Sequence, residues 1–446
     1  MTSDAEKVMG LQQVSRMLGV GIISLLLVHG ISADDKGLKK RIADLNAEKA
    51  NHWIYNDIPA GFAKAKESGK PLFITFRCVP CVDCLGFDAE VADGNDAIKE
   101  LAREKFISVR QVEMKGVDLT QFQFDHDLNW AAMFLNADGT VYARYGTQSA
   151  EGADEYNSVK GLVATMNRVL ELHKEYPRNK SLFVGKKPDP KPWKTAMQMP
   201  TLVPKLLKGG QTTRTNCIHC HNIHDAENEL WQKEGSIDKD NLWRYPLPEN
   251  IGLEMSIRDG VTVKSVLPQS VAAKAGIQSG QQITTANGQA IASIADLQWV
   301  MHTLPNEAGV KIRLAFADGN SAQVFTQENW KQTDISWRGS LWSVSPRLRV
   351  WAPPIPESKR AALNLAEDWG ALGVKFINQS QAGGQAAVKA GLKNGDVIIK
   401  LDGKPVPKDN QAFNAYIKLN YELGQTVQLT VLRRGKEKII SLPLVE

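Results

Sequence analysis

A nine-residue segment, Ala275-Gly-Ile-Gln-Ser-Gly-Gln-Gln-Ile283, returns later in the chain as Ala390-Gly-Leu-Lys-Asn-Gly-Asp-Val-Ile398. Gly276 recurs as Gly391 and Gly288 as Gly403, the same offset of 115 residues at both places. Each copy follows a glycine-containing strand start, Ile251-Gly252-Leu253-Glu254-Met255 and Leu372-Gly373-Val374-Lys375-Phe376. Alternating strands such as Val427 to Leu432 close the units. Self-similarity of this kind means one β-rich unit built twice. With 446 residues, about three average domains' worth, the chain is a multi-domain protein.

These residues resemble PDZ domains of the bacterial periplasmic type, whose A-G-L-x-x-G-D-x-I and N-G signatures stand, with small departures, in both copies, over about 247–330 and 370–446. The resemblance implies a loop and adjoining strand that receive a partner's C-terminus, with backbone N–H groups on the carboxylate and the peptide added to the sheet edge. Ile251, Gly252 and Leu253 would form the first loop, and Leu372, Gly373 and Val374 the second. A protein partner is therefore expected; the alternative is that one or both copies only pack against neighbouring domains.

The first half reads as an α/β layer. Asp57 caps a helix ending at Gly69, Pro71 to Phe76 is a buried strand, and Asn95 caps a helix from Ala97 to Glu104. Phe106 to Val112 is a second strand, Met133 to Tyr145 a hairpin turned at Asn136-Ala-Asp-Gly139, and Ser158 to His173 a closing helix. Directly after the first strand come Cys78, Cys81 and Cys84, two overlapping C-x-x-C motifs. Motif and element order over about 47–175 resemble the thioredoxin family. In that family the first active cysteine lies five residues after the strand's last Phe, which makes Cys81-Val82-Asp83-Cys84 the positional match to Phe76. Cys78-Val79-Pro80-Cys81 is closer by residue type. A thiolate at a helix N-terminus has a lowered pKa and can attack a disulfide. On this reading Cys81 and Cys84 are the redox pair and Cys78 is left over, as an alternative partner of Cys81 or a handle for a mixed disulfide. The position of the family's cis-proline falls at Ala131, a departure that counts against general disulfide reductase activity.

The chain's other two cysteines stand in Cys217-Ile218-His219-Cys220-His221, the C-x-x-C-H signature of c-type haem attachment. Cys217 and Cys220 would form the thioethers and His221 would ligate iron, with His224, Met197, Met199 and Met255 as candidates for the far side. The alternatives are a zinc site on Cys217, Cys220, His221 and His224, or a plain disulfide.

Met17 to Val28 is a short apolar run after Arg16 and before Gly30-Ile-Ser-Ala33, which reads as a signal peptide over 1–33 and an extracytoplasmic, periplasmic destination where disulfides persist. Membrane contact is expected only if that segment stays uncleaved. A net charge of +5 without a basic stripe makes nucleic acid a poor partner. Residues 176–200 read as a Lys/Pro-rich linker, 201–246 as the C-x-x-C-H module and 331–369 as a Trp-rich connector. Gly319-Asn320-Ser321 matches a protease nucleophile loop in type, but it sits where a hairpin turn is expected, and no protease domain has room. The expectation is thus a thioredoxin-like domain followed by two PDZ-like α+β domains. Its expected function is thiol-disulfide and electron transfer on a bound protein client, with a possible oxidoreductase activity; the rival is a non-catalytic PDZ scaffold with a structural haem or zinc.

Overall fold

A computed structural model describes residues 35–47, 49–79, 81–202, 212–366 and 369–446. The expected leader lies outside the described residues, and among those described no helix is long and apolar enough to cross a membrane.

Helix α1 (Asp35–Ile42) packs Leu38 and Ile42 under Tyr55 and Val112. Strand β1 (Ile54–Tyr55) leads to α2 (Ile58–Ser68), which Asp57 caps through Ala60 N–H and Gly69 ends at φ +69°. Strand β2 (Leu72–Arg77) is buried at all six positions because it is central. Then follow α3 (Leu85–Ala89), α4 (Asp96–Glu104) capped by Asn95, β3 (Ile107–Gln111), β4 (Trp130–Leu135), β5 (Val141–Tyr145) and α5 (Val159–Lys174) capped by Ser158. The sheet order is β1-β3-β2-β4-β5, parallel as far as β2 and antiparallel beyond it. This is the element order expected of a thioredoxin-like layer.

One face of that sheet is covered by α2 and, from far along the chain, by Met199, Leu202, Ile218, Cys220, Ile223 and Ala226. The second cysteine segment is therefore part of the first domain's core, and helix α6 (His221–Lys233) continues from it. The expected linker is also built in. Phe183 and Lys186 are buried, and Lys186 Nζ pairs with Asp296 Oδ2 at 2.9 Å. Burial of an apolar ring and a paired charge holds the segment against both of its neighbours.

The first β-rich unit runs β6 (Leu253–Met255), β7 (Val263–Val266), α7 (Val271–Lys274), β8 (Ile283–Ala286), β9 (Gln289–Ala290), α8 (Ile294–His302), β10 (Lys311–Phe316) and β11 (Ser321–Phe325). The second runs β12 (Val350–Trp351), α9 (Glu357–Ala362), β13 (Leu372–Gly373), β14 (Phe376–Ile377), α10 (Ala382–Lys389), β15 (Val397–Leu401), β16 (Lys404–Pro405), α11 (Asn410–Asn420), β17 (Thr426–Arg433) and β18 (Lys436–Pro443).

Hydrogen bonds align the two copies. Gly280 N–H donates to Val263 C=O, and Gly395 N–H to Val374 C=O, both at 2.8 Å; Leu267 N–H donates to Gly252 C=O, and Asn378 N–H to Arg349 C=O, both at 2.9 Å. Gly252 and Arg349 both have positive φ, +88° and +58°. The counterpart of Ile251-Gly252-Leu253 is thus Leu348-Arg349-Val350. Leu372, Gly373 and Val374, expected as the second loop, instead match Val261, Thr262 and Val263. The cause is an insertion carrying α9 between edge strand and β13, so the second unit begins inside the expected Trp-rich connector.

Candidate functional site

In the second unit, edge strand β12 is paired on one side only. The carbonyls of Arg349, Trp351 and Pro353 accept from Asn378, Lys375 and Gly373 N–H at 2.9, 3.0 and 2.8 Å. Alternation along an antiparallel strand turns the backbone groups of Val350 and Ala352 the other way, toward α11. There Ala352 N–H donates to Asn410 Oδ1 at 2.9 Å. Edge strand and helix enclose a groove of about 140 Å³, lined among others by Trp342, Arg347, Arg349, Asn410, Asn414 and Lys418. The last three lie one helical turn apart on one face of α11.

The groove is cationic at its loop end. Lys418 is buried, donates to Leu341 C=O at 2.5 Å and is pulled down to about 7, first by burial and then by Arg347 and Arg349. Burial and Arg347 also lower Arg349. Arg347 is paired with Glu229 at 3.4 Å, so the charge left at the strand edge is that of Arg349 and Lys418, which an anion stabilises.

The first unit is the opposite. Its loop carries Glu249, raised above the usual carboxylate range by burial, with Glu254 and Glu151 adding to the shift. Tyr156, from the stretch between β5 and α5, bonds to Glu249 and packs on the unit's core. Ser158 Oγ donates to Ile257 C=O at 2.6 Å. Helix α8 is buried from Ile294 to Met301: Asp296 accepts from Arg144 N–H at 3.0 Å, Trp299 Nε1 donates to Gly185 C=O at 2.9 Å, and the Arg144 guanidinium lies 3.5 Å over Trp299. Ile251 and Leu253 are fully buried, and a Cβ on Gly252 would stand 2.1 Å from Ser270. This unit is a joint against the thioredoxin-like domain.

The two cysteine groups, more than 130 residues apart in sequence, meet at the end of β2. Cys78 and Cys81 are joined by a disulfide, and Cys78 Sγ lies 3.0 Å from His219 Nδ1. Arg77 donates to the carbonyls of Cys78 and, at 3.2 Å, Cys81, and its ion pair with Asp88 at 2.8 Å fixes the loop. Cys84, expected to pair with Cys81, is the N-cap of α3 and fully buried, its sulfur 3.4 Å from Arg77 Nη1 and 3.5 Å from Asn129 O. Burial pushes its thiol up to about 12, against the pull of Arg77. It holds on the order of 10³ less thiolate than an ordinary cysteine, the reverse of what an attacking or resolving thiol needs. Alkylation of the native, unreduced protein at pH 8 should therefore leave Cys84, Cys217 and Cys220 unmodified, all three becoming reactive in denaturant. Labelling of any of them at the denatured rate would refute the buried arrangement.

The haem expectation fails on space. Cys217 and Cys220 are each 5% exposed. Cys217 Sγ is turned to Val112 C=O at 3.6 Å, and the void beside the two thiols is about 10 Å³, where a macrocycle needs several hundred. His221 Nδ1 is taken by Asp225 at 3.0 Å, and the ring abuts Gly339, whose Cβ would stand 3.2 Å away. The zinc alternative is not assembled either. His224 Nδ1 pairs with Glu227 at 2.9 Å. Among the described residues the thiol, imidazole and carboxylate groups that converge are Cys78, Cys81 and His219, and Asp125, Asp127 and His224. The second set is filled by Arg338, 2.7 Å from Asp125 and 3.2 Å from Asp127.

Comparison with known proteins gives the same domain sequence. The family described as Thioredoxin-like matches residues 53–137, and PDZ domain families match 262–312 and 370–444. Curated relatives include a probable periplasmic serine endoprotease DegP-like of Marinomonas sp. (strain MWYL1), 27% identical over 200 residues, covering 45% of this chain and 40% of that protein. Its counterpart in Pseudomonas savastanoi pv. phaseolicola is 30% identical over 207 residues, covering 45% and 40%. The periplasmic serine endoprotease DegP of Escherichia coli (strain K12) is 33% identical over 158 residues, covering 34% and 29%. The chain spans less than half the length of these relatives. A solved HtrA-type protease, AlgW with decapeptide, aligns at 17% identity and a TM-score of 0.20 over 30% of this chain and 41% of that one.

These names overturn the redox and haem expectation: the relatives are named for periplasmic proteolysis, not for thiol exchange, electron transfer or haem. Ser321 offers no nucleophile loop, since Gly319-Asn320 is the tight turn between β10 and β11 and Ser321 pairs with Ala315. The chain is a thioredoxin-like domain followed by two PDZ domains.

Proposed function

We propose that the chain is a periplasmic protein-binding protein whose second PDZ domain receives the carboxylate end of an extended protein segment, the first serving as a structural joint. The supporting observation is the charge contrast between equivalent loops: Glu249 beside Tyr156 in the first, Arg347, Arg349 and Lys418 beside a free strand edge in the second. Anion attraction and strand addition then act on the same peptide. The partner class fits the PDZ matches, and the compartment fits the relatives.

The test is a fluorescent decapeptide panel with apolar final residues, each made as free acid and as amide. Free acids should bind and amides should not. Arg349→Glu should weaken binding by about 2 kcal/mol or more, roughly 30-fold, with Glu249→Ala neutral. Equal binding of acid and amide, or no effect of Arg349→Glu, would defeat the reading.

The same groove predicts a pH dependence. Lys418 faces Arg347, Arg349 and Asp225, and its proton is lost as pH rises through about 7. Peptide affinity should fall between pH 6 and 8, and Lys418→Met should flatten the profile. An unchanged slope in that variant would assign the titration elsewhere.

A further inference from the structure

We propose that Cys78, Cys81 and His219, in the dithiol form of the protein, bind one monovalent copper ion. The site lies in the thioredoxin-like domain and stands independently of the PDZ groove. One ligand atom from each residue lies within 4.8 Å of the other two, so the three donors stand around one small volume that an ion enters once the two sulfurs part. The donors come from two distant segments that the fold clamps together. Cys78 directly follows β2, with its N–H on Asn129 C=O at 3.2 Å. His219 is held by its own N–H on Asn222 Oδ1 at 3.0 Å. Beside Cys78 and His219 is the void of about 10 Å³, bounded on its other side by Cys217 and Cys220: room for a single atom.

The chemistry of the donors selects the ion. Two thiolates and an imidazole form a soft set, which favours Cu(I) over hard divalent cations. Zinc structural sites close with four protein ligands, and Cys217, a further sulfur at the void, is turned toward Val112 C=O. Two thiolates on a monovalent ion leave one negative charge, which the Arg77 side chain bonded to the carbonyls of Cys78 and Cys81 offsets. Cys78 is buried while Cys81 and His219 are half-buried, so the ion has a path in from solvent.

The disulfide holds no ligand in its oxidised form. Opening it takes two electrons and two protons, supplied by a dithiol that closes to its own disulfide. Cu(I) then displaces both thiol protons to solvent.

The experiment reduces the full chain with dithiothreitol, removes the reagent anaerobically and titrates Cu(I) buffered by bicinchoninate. One equivalent should be taken up by the reduced protein and none by the oxidised protein. Cys78→Ser and Cys81→Ser should each abolish high-affinity uptake, and His219→Ala should weaken it by at least about 10-fold. Cys84→Ser and Cys217→Ser should keep it. Uptake that survives Cys78→Ser, or that is lost in Cys217→Ser with the fold intact by circular dichroism, overturns the assignment. X-ray absorption of the wild-type complex guards against variants that fail to fold. Two sulfurs and one nitrogen around copper support the site; an all-sulfur shell overturns it.

Discussion

Replacing Arg110 by alanine should cost about 3–5 kcal/mol, the loss expected when one partner of a buried ion pair is removed and the others stay. Arg110 has no exposure and lies between two carboxylates. Its Nε and Nη2 donate to Asp44 at 3.0 Å each, and its Nη1 and Nη2 to Asp88 at 2.9 Å each. Without the guanidinium, Asp88 keeps Arg77 and Asn46, whereas Asp44 loses both guanidinium bonds and keeps the Tyr55 hydroxyl at 2.9 Å. A domain's whole stability is about 5–15 kcal/mol, so the variant sits near its unfolding threshold. Asp88 is held down to about 2, with burial opposing and Arg110 the largest favourable cause. A depressed carboxylate stabilises fully above its unfolded value of 3.8 and loses that contribution as pH falls toward 2. The wild type should therefore show an acid limb in urea midpoints over that window, shallower in Asp88→Asn. An Arg110→Ala loss below about 1 kcal/mol in urea unfolding would mean that water enters and replaces the guanidinium.

The first domain was legible because its local signals agree with its tertiary setting. Asp57, Asn95 and Ser158 cap the expected helices, and the run Leu72 to Phe76 is apolar but for Thr75, as suits a strand covered on both faces. Both PDZ units were legible from glycine turns that repeat. The second groove loop was not, for two physical reasons. An insertion separates it from the repeat that marks the unit, and its left-handed position is filled by Arg349, so no glycine advertises it. The cysteines failed differently. Counting from Phe76 chose Cys81 and Cys84, but Arg77 prolongs β2 and the helix that follows buries Cys84 instead of presenting it. C-x-x-C-H is a five-residue pattern, and the burial of Cys220 is imposed by a sheet whose last strand ends at Tyr145, far upstream. Short motifs carry chemistry only if the fold leaves them room.

Arg338→Ala should split the molecule's unfolding into two transitions, because this side chain fastens the stretch before the second PDZ domain to the thioredoxin-like domain. It is 3% exposed, and beside its pairs with Asp125 and Asp127 it donates to Arg244 C=O at 2.6 Å. Asp127 in turn accepts from Ser340 N–H and Oγ, both at 2.8 Å. The same stretch carries Ser343, which bonds Asn228 of α6 at 3.2 Å, and Leu341, whose carbonyl takes Lys418 of the peptide groove. Removing the guanidinium leaves two buried carboxylates facing each other, a cost of about 3–5 kcal/mol borne by the joint and not by either domain's core. Calorimetry should show the second PDZ domain melting first, since the hydrogen bonds of α6 and Lys418 to residues 338–345 go with the joint. Peptide affinity should drop in parallel, as Leu341 no longer holds Lys418 against the groove. At about 4–8 °C per kcal/mol for a unit of about 100 residues, the early transition should precede the wild type by on the order of 10 °C or more. A single transition moved by less than about 2 °C would place the mechanical coupling in the apolar contacts among Leu242, Ile335, Leu341, Val344 and Ala415 instead.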